Sequence, residues 1–194
     1  MANKVQFGLS NVYFALLQIN EETGAITFGM PWKQSGAVNM TLDIAGSSTP
    51  FYADNIAYFT ATSNAGYTGT LEMAIFDKKF RTDVLGDVLG SDNVMIENNT
   101  AQSKEVAMMY QIEGDEKAVR NLLYRVKFER SNETHATTAD TVEPQTTTLN
   151  MTASAMPDTG NIKAATTEET AAALYDGWFN EVYVPTATPE TPGA

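Results

Sequence analysis

Residues 49–76 read Thr-Pro-Phe-Tyr-Ala-Asp-Asn-Ile-Ala-Tyr-Phe-Thr-Ala-Thr-Ser-Asn-Ala-Gly-Tyr-Thr-Gly-Thr-Leu-Glu-Met-Ala-Ile-Phe, and the reading of this stretch decides the fold. It carries Phe51, Tyr52, Tyr58, Phe59 and Tyr67, yet Asp54 is the only charged side chain between Gly46 and Tyr67. A segment so long and so poor in charge is too apolar for an ordinary solvated loop, so it calls for a cover. Asp54-Asn55, between two short aromatic runs, is turn chemistry and reads as a β-hairpin. Thr70 to Ile75 then alternates, with Leu71, Met73 and Ile75 on one face and Thr70 and Glu72 on the other, as a half-buried strand does. Two readings stand side by side. The hairpin folds back onto the core of its own domain, or it projects and is buried by another copy of the chain.

Working outward, the same period of two recurs. Val12 to Ile19 is a strand, Asn20 to Gly24 a turn, and Ala25 to Gly29 the return. After Pro31-Trp32 and the Ser35-Gly36 turn, Val38, Met40, Leu42 and Ile44 alternate with Asn39, Thr41 and Asp43. This strand and the one near 67–76 flank the aromatic stretch, so they are expected to pair. Phe76, Phe80 and Val84 change the period to i, i+4, i+8 and Gly86 follows as a stop, which predicts a short amphipathic helix over 77–85. Residues 86–102 read as a polar loop with a brief strand at 94–97. Val106, Met108, Tyr110 and Ile112 alternate into the core, as do Leu122, Tyr124, Val126 and Phe128, and then Leu149, Met151, Ala153 and Ala155. Thr166 with Glu169 has the pattern of a capping box for a last helix, whose apolar stripe is Ala171, Leu174, Tyr175, Trp178 and Phe179.

The expected fold is therefore mainly β: an antiparallel β-sandwich or partly open barrel with two short helices. One domain is expected over residues 1–184, with an N-terminal arm at 1–11 and a long loop at 46–66. A flexible Pro-rich tail is expected at 185–194.

Composition narrows the function classes. The chain has 194 residues, enough to bury about 70% of its unfolded surface. With no cysteine, neither a disulfide framework nor a thiolate metal site can form. No leader with an apolar core and no apolar run of spanning length is visible, so the expectation is a soluble protein made in a cytoplasm. Acidic residues number 24 against 12 basic ones, for a net charge of −12. From Ser131 onward there are nine acids and a single base, Lys163. Such a surface has no footprint for holding a phosphate backbone and would repel DNA.

No catalytic constellation emerges, and no enzyme is expected. His135 is the sole histidine and sits in a Thr-rich segment, where it reads as a surface residue. No Gly-x-Ser-x-Gly elbow supplies a nucleophile. The carboxylate pairs Glu21-Glu22, Glu168-Glu169 and Asp83/Asp87 read as solvated surface charge, since an acid–base pair needs a buried site to separate its pKa values. No cofactor and no metal site are expected.

Several separated blocks, in order, resemble the major tail (tail tube) proteins of long-tailed, non-contractile bacteriophages. They are residues 3–12 (Asn-Lys-Val-Gln-Phe-Gly-Leu-Ser-Asn-Val), the 49–76 stretch, residues 143–146 (Glu-Pro-Gln-Thr) and residues 178–183 (Trp-Phe-Asn-Glu-Val-Tyr). The resemblance implies a β-sandwich subunit of a virion. Hexameric rings of it would stack into a tube through which DNA passes without specific binding. In that family the long loop between the second and third strands reaches the next ring. It implies an inter-ring role for Phe51, Tyr52, Asp54, Asn55, Tyr58 and Phe59, and packing on the sandwich or a neighbour for Leu174, Tyr175, Trp178 and Phe179. Expected partners are further copies of the chain, a tape measure protein inside the tube, and tail terminator and distal tail proteins at its ends. Alternatives from other classes are a tail terminator or head decoration protein, and a monomeric β-sandwich carbohydrate-binding module.

Overall fold

The computed structural model describes residues 3–20, 22–137 and 144–185. The first strand, β1 (Gln6–Ile19), is followed by β2 (Ile26–Phe28), β3 (Trp32–Gln34), β4 (Ala37–Ala53) and β5 (Ile56–Met73). Helix α1 (Lys78–Asp83) leads into the two-stranded β6 (Val88–Leu89) and β7 (Met95–Ile96). Then come β8 (Val106–Gly114), β9 (Val119–Glu129), β10 (Thr147–Ser154), β11 (Lys163–Ala165) and α2 (Ala172–Asp176). Every pairing is antiparallel, and the main sheet runs β2-β1-β8-β9-β10-β5-β4, with β3 added to β1 and β11 to β9. The chain is a β-sandwich-like antiparallel fold with two short helices, and its sheet does not close into a barrel.

The main core forms because the sheet bends over on itself. Val12 and Phe14 of β1 share one cluster with Leu71 and Met73 of β5, though these strands lie far apart in the order. Met108 and Tyr110 of β8, Val126 and Phe128 of β9 and Met151 of β10 complete the walls. Helix α1 closes the space: Phe80 is fully buried and packs on Phe14 at 4.9 Å and on Phe128 at 5.4 Å between ring centroids. Its boundaries follow local chemistry. The Asp77 carboxylate accepts from the Phe80 N–H at 2.7 Å as N-cap, and Gly86, at φ +80°, turns the chain away.

The opposite face of β8 and β9 is also covered, so β8 is buried from Val106 to Gln111 without alternation. Ala15, Ala107, Met109, Leu122 and Tyr124 form a second cluster beneath Met156, Trp178 and Val182. A strand packed on both faces loses its polar face, and a continuous apolar run results.

Several sequence expectations need correction. The arm expected at 1–11 is strand from Gln6 onward, paired from Gln6↔Gly114. Gly8 and Asn11 take positive φ at its two register shifts. The strand near 67–76 ends at Met73, and Ile75 is exposed. Val38 and Ile44 are exposed as well, because shifts at 37/39 and 44/46 break the alternation of β4. The capping box at Thr166 does not form. Its hydroxyl accepts from the Arg120 N–H at 2.9 Å, and α2 starts at Ala172 with no side-chain cap.

Candidate functional site: a projecting hairpin

The β-hairpin read around Asp54-Asn55 forms, and the long loop expected at 46–66 is regular strand on both sides of that turn. Strands β4 and β5 pair from Ala37↔Met73 to Ala53↔Ile56 around a two-residue turn, with Asp54 at φ +53° and Asn55 at φ +61°. Two consecutive positive φ values are what a type I′ turn requires, and Asp and Asn accept them at small cost. β5 is flanked on both sides only as far as Tyr67, which pairs with Ala153 of β10 and with Ile44 of β4. Beyond that point β10 has ended, and only the β4–β5 ladder continues, from Gly46↔Asn64 outward. Eight residues from Gly46 to Ala53 at about 3.3 Å each give a two-stranded ribbon roughly 26 Å long.

The ribbon's root is built around glycine. Gly66 stands at φ +110° in the register shift between Ile44↔Tyr67 and Gly46↔Asn64, and a Cβ there would lie 2.0 Å from the Ala153 carbonyl oxygen. The Asn64 side chain accepts from the Gly66 N–H at 3.2 Å. The ribbon therefore bends away from the sheet at a point where only a glycine backbone can lie so close to β10.

Along the ribbon, consecutive residues are exposed from Gly46 to Tyr52 and again from Ile56 to Thr60, so neither face rests on the domain. Phe51 pairs with Phe59, and the next pair is Tyr52↔Ala57, which leaves Tyr58 as an unpaired bulge residue. Phe51, Tyr52, Tyr58 and Phe59 are 62%, 65%, 72% and 62% exposed, and Ile56 and Ile44 are exposed beside them. Asp54 and Asn55 cap the tip. The reading in which this segment folds onto its own core is excluded by these exposures.

At the root, a cleft of about 400 Å³ opens between the layers, walled by Met40 and Leu42 on one side and Tyr110, Ile112 and Asn121 on the other. The Lys163 ammonium sits at its rim, 6.0 Å from the ring centroids of both Tyr67 and Tyr110. Partial burial holds the Lys163 pKa below that of an ordinary lysine.

The C-terminal residues read from the sequence pack on the chain's own second face. The Tyr175 ring lies under Lys117 Nζ at 4.0 Å and Arg120 Cζ at 3.9 Å, and its hydroxyl donates to the Ala118 carbonyl at 3.0 Å. Trp178 is buried and stacks on Tyr183, and Phe179 stacks on Tyr13 at 4.7 Å. Leu174 is exposed and does not join them. Of the tail expected at 185–194, all but Pro185 lies outside the described residues.

Two features of the 86–102 segment go beyond the sequence reading. Asp87, read as solvated charge, has a fully buried side chain held by Arg81 Nε at 2.8 Å and by Arg130, which also reaches Glu97 at 2.9 Å. Nothing in the local pattern marks it, because its partners lie on α1 and just past β9. The brief strand read at 94–97 is β7, but its partner β6 was not read, and the hairpin they form exposes Val88, Leu89, Val94 and Ile96. His135 is exposed beside Glu133 at 3.5 Å. Among the described residues no helix is long and apolar enough to cross a membrane.

No protein-family model matches the chain, and no curated protein matches it.

Proposed function

We propose that this chain is the tube-forming subunit of the tail of a long-tailed, non-contractile bacteriophage. Hexameric rings of it stack into a conduit, and the 46–66 hairpin bridges one ring to the next. The observation that carries the reading is the ribbon itself: two strands projecting about 26 Å, open on both faces, aromatic at the tip and almost free of charge. An isolated two-stranded ribbon is marginal in water, and an apolar one is costly to leave exposed. A second copy of the chain supplies a cover of constant geometry, and a tip that meets a different surface on its neighbour makes a heterologous contact that can propagate. The sequence blocks that resemble tail tube proteins favour this neighbour over an unrelated partner.

The net charge of −12 suits a wall along which DNA slides without sticking. In the virion the same tube would enclose a tape measure protein and end on terminator and distal tail proteins. Electron microscopy of the concentrated protein tests the reading. Tubes of constant diameter support it. Closed single rings would point to a terminator, and monomers at every concentration to a binding module.

A further inference from the structure

The hairpin tip and the cleft near the hairpin root carry opposite charges, each beside apolar side chains. The tip offers one carboxylate, Asp54, on a tight turn flanked by Tyr52, Ile56 and Tyr58. The cleft offers Met40, Leu42 and Ile112 as apolar walls, the Tyr110 ring, and one cation, Lys163, which also lies near the Tyr67 ring. These charges are sparse in their surroundings: Asp54 is the only one between Gly46 and Tyr67, and Lys163 the only base from Ser131 onward. Among the described residues no carboxylate pairs with Lys163.

We propose that the cleft around Lys163 is the receptor for the hairpin tip of a second copy, with Asp54 of one chain pairing with Lys163 of the next. The contact cannot be made within one chain. Tyr67 marks the root and lies beside Lys163, while Asp54 is at the far end of a ribbon roughly 26 Å long. A carboxylate delivered with its own aromatic flank would exclude water from the cleft and give the exposed Lys163 ammonium a counter-charge that no described residue supplies. Charge pairs shielded in this way discriminate strongly between partners. Lys117, another lysine held on an aromatic ring, borders a depression that also contains the Glu168 carboxylate, which would repel an acidic tip. Because tip and root sit at opposite ends of one ribbon, the contact repeats along the ribbon direction and sets the axial spacing of the assembly. This inference rests on the stacking role given to the hairpin above, and it names the surface that receives it.

Cysteine pairing tests the contact directly, since the chain has no cysteine of its own. Asp54→Cys and Lys163→Cys chains are prepared separately, mixed and oxidised, and the disulfide-linked species are counted by mass. The mixed species should dominate well beyond random pairing, and its absence would overturn the proposal even if the protein forms tubes. Charge reversal is the second arm. Asp54→Lys and Lys163→Asp should each raise the concentration needed for assembly about tenfold or more, and the double reversal should restore it. Circular dichroism of each variant checks that the subunit is folded. If both single reversals assemble like the parent while Tyr58→Ser/Phe59→Ser does not, the tip docks elsewhere and the hairpin still bridges copies. If the mixed disulfide forms only within closed dimers, the tip–cleft contact stands and the tube reading falls.

Discussion

Phe51 and Phe59 stand directly opposite each other across the β4–β5 ladder, and each is 62% exposed. Cross-strand aromatic pairs stabilise a ribbon by about 0.2–1 kcal/mol, so this pair helps to hold the register of the tip. It does so without any help from the domain, whose nearest supporting strand ends at Ser154. The pair is thus at once an internal clamp and an apolar surface that none of the described residues of its own chain covers. That double role separates the fold of the ribbon from its function, and mutation can address the two independently.

Replacing Tyr58 and Phe59 together with Ser should abolish assembly and leave the subunit folded. Tyr58 is the bulge residue and Phe59 the partner of Phe51, and neither belongs to a buried cluster. An aromatic side chain buries roughly 150–250 Å² at an interface, so even half of that at about 25 cal/mol per Å² is ~2 kcal/mol per residue per contact. Electron microscopy should show no tubes while circular dichroism stays that of the parent. A variant that still polymerises would move the bridging contact away from the tip.

The root of the hairpin should be intolerant of any side chain. Gly66→Ala places a Cβ 2.0 Å from the Ala153 carbonyl oxygen and holds alanine at φ +110°. Backbone must shift in both β5 and β10, at a cost of about 2–3 kcal/mol. Gly24→Ala is the matched control, with a positive φ of +67° but no atom within 4 Å, and about 1 kcal/mol is expected. Calorimetry should give a clearly larger fall in Tm for Gly66→Ala, at about 2–4 °C per kcal/mol for a chain of this size. Equal falls would mean that strain alone, and not the close approach to β10, fixes the glycine.

The sequence carried the strand pattern well where one face meets the core, as in Leu149, Met151 and Ala153, and it marked the Asp54-Asn55 turn. It failed where burial is not one-sided. Residues 106–111 are covered on both faces by parts of the chain far away in sequence, so their period of two hides a second core. The ribbon was legible only in part: the turn marked a β-hairpin, but with both faces open the residues of 46–66 have no period to show, and the extent of its strands was read as a long loop. At the candidate site the aromatic residues and the turn were legible. The cleft was not, because Met40, Tyr110, Asn121 and Lys163 come from four different strands.

Asp87→Ala should loosen the segment between α1 and β8. The carboxylate side chain is fully buried and receives Arg81 and Arg130, which ties the helix and the end of β9 to this segment. Breaking a buried ion pair costs about 3–5 kcal/mol, but here both arginines keep contact with water, so about 2 kcal/mol is expected. Urea unfolding measures the loss, and hydrogen exchange should rise first in residues 86–102. A uniform rise across the whole sheet would show that Asp87 supports the core itself.

Alkaline pH should destabilise the subunit through two named tyrosines. Burial pushes the Tyr110 and Tyr124 hydroxyls from the ordinary value of 10.0 up to about 12, with Tyr67 and Tyr183 adding in the same direction. The Tyr124 oxygen is buried without a hydrogen-bond partner, so its anion would have nothing to stabilise it. The sign follows from proton binding. Between pH 10 and 12 the unfolded chain has lost these protons and the folded chain keeps them, so stability is intact below pH 10 and falls as pH rises through that window. Tyr110 lies in the main core beside the cleft, whereas Tyr124 lies under the 178–183 cover, so the two report on different faces. Ultraviolet titration of the folded protein should show a late step near pH 12 with the amplitude of two tyrosines, and Tyr110→Phe should remove half of it. In Tyr124→Phe the remaining half should persist, and unfolding by urea should depend less on pH between 10 and 12. Complete ionisation by pH 11 in the folded parent would show that water reaches both rings, and neither core could then be as dry as the packing of Met108, Met109 and Leu122 requires.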